Sequence, residues 1–222
     1  MDLTANLLSK VYTQGAREVV ALSEVSFVIT QGELVGLSGP SGSGKSTLLN
    51  ILGGLDRPTS GTVQVGDTLL QHLSDDDLTL YRRNTVGFVF QASNLVPALT
   101  VYENVMLPLI PIALPHSDKD ERVQAALEQA NIAHRATHLP GELSGGEQQR
   151  AAVARAIVNQ PSLILADEPT GELDCANAGR IMELLTSFSD QGRTVIIASH
   201  DQDVIGVMDR VLHLQNGSLA DD

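Results

Sequence analysis

Residues 39–46 read GPSGSGKS. The octet stands between the short apolar run ELVGLSG and the helical stretch KSTLLNILGGL, which is the setting a phosphate-binding P-loop requires. Gly39, Gly42 and Gly44 let the backbone turn so that its N–H groups face an anion. Pro40, Ser41, Ser43 and Thr47 complete the stretch expected to contact the ligand, and the helix start adds its positive end. Lys45 brings a charge to the outer phosphates, and the Ser46 hydroxyl is a ligand for Mg²⁺. Further on, LILADE at 163–168 is an apolar strand ending in two acids. A carboxylate at that end of a strand faces the crevice where ligands bind in open α/β sheets. Asp167 is placed to hold the metal through water, and Glu168 is the candidate base that polarises an attacking water.

A second glycine-marked helix start, ELSGGEQQR, covers 142–150. Ser144 followed three residues later by Glu147 is a capping box, which begins many ordinary helices. A capping box has no need of Gly145 and Gly146, which weaken the helix. They make sense where an anion must come close to the backbone at a helix N-terminus. Since the P-loop already surrounds its nucleotide from one side, this second start is expected to reach the nucleotide of another copy.

The elements that must position these groups follow an α/β order. Strands are expected at ELVGLSG, TVQV, TVGFVFQ, SLILAD and GRTVIIAS, with a closing strand and turn at DRVLHLQNGSL. Residues 92–160 change character and read as mostly helical, in TVYENVML, DKDERVQAALEQA and EQQRAAVARAIV. A helix starting at Asp174 as N-cap has Ala178, Ile181, Leu184, Leu185 and Phe188 on one face. SDDDLTLYRR reads as an exposed helix with acids at its start and bases at its end. His134 and His138 have a metal-pair spacing but no acidic or Cys partner set beside them, and are read as a solvated loop.

Composition bounds the partners. The 222 residues carry 14 Lys+Arg against 27 Asp+Glu, a net charge of −13. Generic binding to nucleic acid or to anionic lipid through a basic face is therefore not expected. Cys175 alone makes no disulfide framework and fits a reducing compartment. The stretch VMLPLIPIALP is too short to span a bilayer and is broken by prolines, and no secretory signal is read at the amino terminus. A soluble chain is expected, held at a membrane only through a partner.

The P-loop, then LSGGEQQ shortly before LILADEPT, then SH some thirty residues on, are similar to the motifs of the nucleotide-binding subunit of ATP-binding cassette (ABC) transporters, over essentially the whole chain. The resemblance implies an ABC-type P-loop ATPase: a RecA-like core with an antiparallel β-subdomain at 1–91 and 161–222, and a helical signature subdomain at 92–160. It implies ATP and Mg²⁺ as cofactors and a head-to-tail homodimer in which each ATP lies between one copy's P-loop and the other's Ser144, Gly145 and Gly146. Tyr12 matches the aromatic that stacks on adenine, and Gln91 the residue joining the Mg²⁺ site to the helical insert. Asp174, in GELD, matches an interface aspartate, although Glu172 departs from the usual pattern there. His200 matches the switch histidine at the γ-phosphate. The local wording resembles a subfamily that includes lipoprotein-releasing, macrolide-exporting and cell-division ATPases. That implies integral membrane subunits as partners at the cytoplasmic face of the cell membrane. Two alternatives stay open here: a stand-alone ABC ATPase of DNA repair or translation, and an ATPase that signals through a membrane partner without transport.

Overall fold

A computed structural model describes residues 1–15 and 17–220. In chain order its elements are β1 (Leu3–Gln14), β2 (Arg17–Ile29), β3 (Leu34–Ser38), α1 (Lys45–Leu52), β4 (Ser60–Val65), β5 (Thr68–Leu69), α2 (Asp75–Thr85) and β6 (Val86–Val89). There follow α3 (Val101–Met106), α4 (His116–Gln129), α5 (Gly145–Ile157), β7 (Leu163–Asp167), α6 (Cys175–Asp190), β8 (Thr194–Ala198), α7 (Gln202–Ile205), β9 (Arg210–Gln215) and β10 (Ser218–Leu219).

Two sheets organise the chain. A six-stranded sheet has the order β10-β9-β3-β8-β7-β6, parallel from β9 to β6 with β10 antiparallel on its edge. A four-stranded antiparallel sheet has the order β2-β1-β4-β5. β3 and β8 are buried along their whole length, as parallel strands covered on both faces must be. Their side chains alternate between two cores. Leu34, Ile164, Ala166, Val195 and Ile197 face a cluster that includes Val105, Leu127, Val153 and Leu185 from the helices. Their neighbours Val35, Leu37, Leu163, Leu165, Ile196 and Ala198 face a cluster built with α1 and the antiparallel sheet, through Leu48, Leu52, Leu22 and Ile29. Strand periodicity thus divides the interior between two layers. It also brings the carboxyl ends of β3, β7 and β8 to one edge.

Three expectations need correction. α2 is amphipathic rather than simply exposed: Leu78 and Tyr81 are buried, and the Tyr81 hydroxyl donates to the Leu52 carbonyl at 2.7 Å. On α6 the buried face is Ile181, Met182, Leu185 and Phe188, whereas Ala178 and Leu184 are half-buried. His138 is half-buried and accepts from the Arg135 guanidinium at 3.2 Å, so it is not a freely solvated loop residue.

Candidate active site

The P-loop leaves β3 at Ser38 and enters α1 at Lys45. Two of its glycines, Gly39 and Gly44, combine a positive φ with a carbonyl oxygen that crowds the Cα. A Cβ on Gly39 would lie 2.1 Å from the Leu214 carbonyl oxygen, and Gly39 has φ +147. Gly44, at φ +108, caps α1 without a side-chain hydrogen bond, so the first-turn N–H groups have no capping acceptor from that residue. Lys45 is buried and folds back, donating from Nζ to the carbonyls of Gly39 (2.7 Å) and Pro40 (3.2 Å). A charge held on backbone carbonyls over a helix N-terminus is ready to exchange those acceptors for phosphate oxygens.

A cavity of about 630 Å³ opens over this loop, lined by Pro40, Ser41, Gly42, Gly44, Lys45, Ser46 and Thr47 together with Gln91, Asp167, Glu168, Gly171 and His200. Val19, Val20 and Ala21 of β2 form its other wall. Glu168, one residue past β7, adopts φ +47, a left-handed conformation that costs a non-glycine residue on the order of 1–2 kcal/mol. Its N–H donates to the Ala198 carbonyl at 2.9 Å, which pins the bend to the end of β8. The carboxylate Oε1 lies 2.9 Å from His200 Nδ1 and accepts from it. Ser46, Gln91 and Asp167 offer a hydroxyl, an amide and a carboxylate to one cavity, and hard oxygen donors with few carboxylates suit Mg²⁺ bound chiefly through phosphates.

Of the other residues expected at the site, Gly39 and Ser43 support the loop from beneath, and Ser43 is buried. Tyr12 lies outside the cavity lining: its hydroxyl donates to Asp56 Oδ2 at 2.8 Å, and Lys10 Nζ lies 4.8 Å over its ring. Asp174 caps α6 by accepting from the Asn177 N–H at 2.8 Å, and the same contact holds its carboxyl below the usual range. Ser144 begins α5 as a full capping box with Glu147. Ser144, Gly145 and Gly146 do not line the cavity. The two glycines differ in what surrounds them. A Cβ on Gly146 would lie 2.5 Å from Asn177 Oδ1, so this glycine is required by packing of α5 on α6. Gly145 meets nothing closer than Leu173 Cδ2 at 3.6 Å and is exposed.

Three positions carry structure that the sequence reading missed. Gln149, buried on α5, donates to the Phe90 carbonyl at 2.9 Å, immediately before Gln91. Arg155, two turns on, donates to the carbonyls of Asn94 (2.6 Å) and Ser93 (2.7 Å). The loop after Gln91 is thus gripped by the helix whose first turn is Gly145–Gly146. Asn104, fully buried on α3, donates to the Val96, Leu99 and Thr100 carbonyls and accepts from the Val96 N–H, fixing the next turn of the same loop. A glutamine just before the apolar pattern AAVARAIV and an arginine inside it were the available signal. Glu147 accepts from the Ser144 N–H and hydroxyl at 2.9 Å each and from Arg135 Nε at 2.8 Å. Those contacts, the Ser144 backbone first, pull its carboxyl down to about 2.

Residues 22–171 match the family model described as ABC transporter. The chain belongs to the ABC transporter family. It is an ATP-hydrolysing cassette, and its relatives agree along nearly all its length. It is 45% identical over 218 residues to the lipoprotein-releasing system ATP-binding protein LolD of Legionella pneumophila, covering 98% of this chain and 96% of that protein. It is 43% identical to the macrolide export ATP-binding/permease protein MacB of Hyphomonas neptunium over 97% of this chain but 33% of that protein. Among solved structures, the ATP-binding cassette MJ0796 of Methanocaldococcus jannaschii, a dimer in a post-hydrolysis state bound to ADP and phosphate, superposes with a TM-score of 0.92. That match has 42% identity and covers 99% of this chain and 97% of the other. Among the described residues no helix of the ABC cassette is long and apolar enough to cross a membrane.

Proposed function

We propose that two copies of this cassette close head to tail around two ATP and Mg²⁺, and that closure drives integral membrane subunits of the lipoprotein-release or macrolide-efflux type. The observation that carries the reading is the division of the site. One cavity gathers the P-loop, Asp167, Glu168 and His200, while the exposed helix start at Ser144 and Gly145 has no place in it. In this reading Lys45 and the P-loop N–H groups bind the phosphates, and Ser46, Gln91 and Asp167 hold Mg²⁺, which neutralises phosphate charge when bound. Glu168, oriented by His200, takes a proton from the attacking water. Tyr12 contacts the adenine side, and Asp174 with the first turn of α5 meets the partner copy.

The membrane subunit is assigned to a groove of about 520 Å³ between α2, β6 and α5. Phe88, Phe90, Pro108 and Pro111 give it an apolar wall, and Arg82, Arg83 and Arg155 line it as well. Such a groove suits a short helix from a partner. Arg155 belongs to both the groove and the grip on the loop after Gln91, so a push in the groove reaches the Mg²⁺ site. In this reading the cassette works at the cytoplasmic face of the membrane, held there by its partner. Photocrosslinking from Pro111 or Arg83 to a co-expressed membrane subunit tests the assignment. Crosslinks confined to residues 1–30, or full activity in cells lacking any membrane partner, would overturn it.

A further inference from the structure

A second cleft, of about 620 Å³, lies on the far side of α5 from the loop after Gln91, between the end of α4, the middle of α5 and α6. Its lining includes Arg150, Arg180 and His134, with Gln129, Asn131 and Glu183 around them. Arg150 Nε and Nη1 are buried and have no hydrogen-bond partner. Among the described residues no carboxylate comes within ion-pair distance of Arg150 or Arg180. Two guanidinium groups thus share a cleft in which Glu183 is the one lining carboxylate, with the Glu147 charge acting on Arg150 from nearby. Buried N–H groups are almost always paired, and leaving them unpaired is costly.

The nearby acids do not fill the need. Glu147 turns its carboxylate to Ser144 and Arg135 and lies 3.9 Å from His134 Nε2. Glu183 lines the cleft and pairs with neither arginine. The carbonyls of Ala126, Leu127 and Glu128 near the end of α4 accept from the N–H groups of Ala130, Ile132 and Asn131.

We propose that this cleft is an oxyanion site for a phosphoryl group, as inorganic phosphate or the phosphate end of a small monoester. Donors come from three elements: Arg150 on α5, Arg180 on α6 and His134 on the turn after α4. A planar carboxylate satisfies one arginine fork, whereas a tetrahedral dianion offers acceptors to all three groups. The lining contains no Phe, Tyr or Trp, so it offers no large ring to hold a base. The bound anion ties α5, which begins at the Ser144 cap, to α6, which begins at the Asp174 cap. It thereby stiffens the helix that carries the partner-facing glycine against the core.

The six histidines supply the test, because His134 lines this cleft and His200 lines the nucleotide cavity. Inorganic phosphate is titrated into histidine-labelled protein at constant ionic strength, and the ring signals are followed by NMR. The His134 signals move along a saturable curve of their own, distinct from that of His200. Arg150→Gln weakens the His134 response about 10- to 100-fold, and the exposed Arg180→Gln weakens it without disturbing the fold. Glycerol 3-phosphate in a parallel titration separates the sources: tighter binding than phosphate names a monoester, and weaker binding names the free ion. His134 signals that stay put at tens of millimolar phosphate, that track His200 throughout, or that respond equally in Arg180→Gln overturn the proposal.

Discussion

Gly145→Ala and Gly146→Ala should change stability in opposite directions, although the two residues are neighbours in one helical turn. At position 146 the new methyl would meet Asn177 Oδ1 at 2.5 Å, its Cγ at 2.6 Å and its Cβ at 3.0 Å. Because Cβ is among the contacts, rotating the amide away does not clear the space, and any such rotation breaks the 2.9 Å bond from Asn177 Nδ2 to Asp174 Oδ2. Overpacking costs about 1–3 kcal/mol and the lost hydrogen bond about 1 kcal/mol. The better helix propensity of alanine returns at most about 1 kcal/mol. The net expectation is a loss of about 1–3 kcal/mol for Gly146→Ala. At position 145 the nearest atom is 3.6 Å away, an ordinary contact, so Gly145→Ala keeps only the propensity gain of at most about 1 kcal/mol. Function reverses the order. If a phosphate of the partner copy comes against this exposed backbone, a methyl there displaces it and lowers ATP turnover by on the order of 10²-fold. Urea unfolding midpoints and steady-state ATPase rates measure the two effects separately. A Gly146→Ala protein as stable as the parent refutes the packing argument, and a Gly145→Ala protein with full turnover refutes close approach at that residue.

Glu168→Gln should bind ATP and accumulate as an ATP-bound dimer, with hydrolysis reduced by about 10²–10⁴-fold; phosphate release and gel filtration check this. Lys45→Ala should weaken ATP binding itself, as read by equilibrium titration of a fluorescent nucleotide. Glu147 contributes stability that is fully present above the ordinary glutamate range near 4.5 and is lost as pH falls towards about 2, because its folded carboxyl is held down. Denaturant unfolding between those pH values should therefore show a steeper loss in the parent than in Glu147→Gln. Gln149→Ala should leave the Phe90 carbonyl, and Arg155→Ala the Ser93 and Asn94 carbonyls, without the side-chain donor that holds the loop, and each should lower stimulation of ATPase by the membrane subunit. Basal and partner-stimulated rates, measured together, separate that effect from simple loss of stability.

The groups that were legible in the sequence are those whose local backbone demands show in residue type. The P-loop needs glycine where φ is positive or where a carbonyl crowds the Cα, and LILAD announces a doubly buried strand with acids at its end. The capping residues Ser144 and Asp174 both begin the helices expected of them. What could not be read were bonds across long stretches of chain. Gln149 to Phe90 and Arg155 to Ser93 join residues about sixty positions apart, and nothing in either segment names the other. The packing demand on Gly146 was hidden for the same reason. Its cost to the helix is visible locally, but the residue that requires it, Asn177, lies on a different helix. Leu78 and Tyr81 were hidden by the charges around them on α2.

Mixing Ser144→Arg subunits with Lys45→Ala subunits tests the shared site most directly. Each protein alone should be inactive, since every site lacks either its P-loop lysine or its partner-facing cap. A mixed head-to-tail dimer has one site with both defects and one site with neither. Random assortment of an equal mixture should then restore up to about a quarter of wild-type ATPase activity. Differently tagged subunits, purified through both tags, establish that mixed dimers have formed. Restored activity in that material is the predicted result, and mixed dimers as inactive as either parent would contradict a site built from two chains.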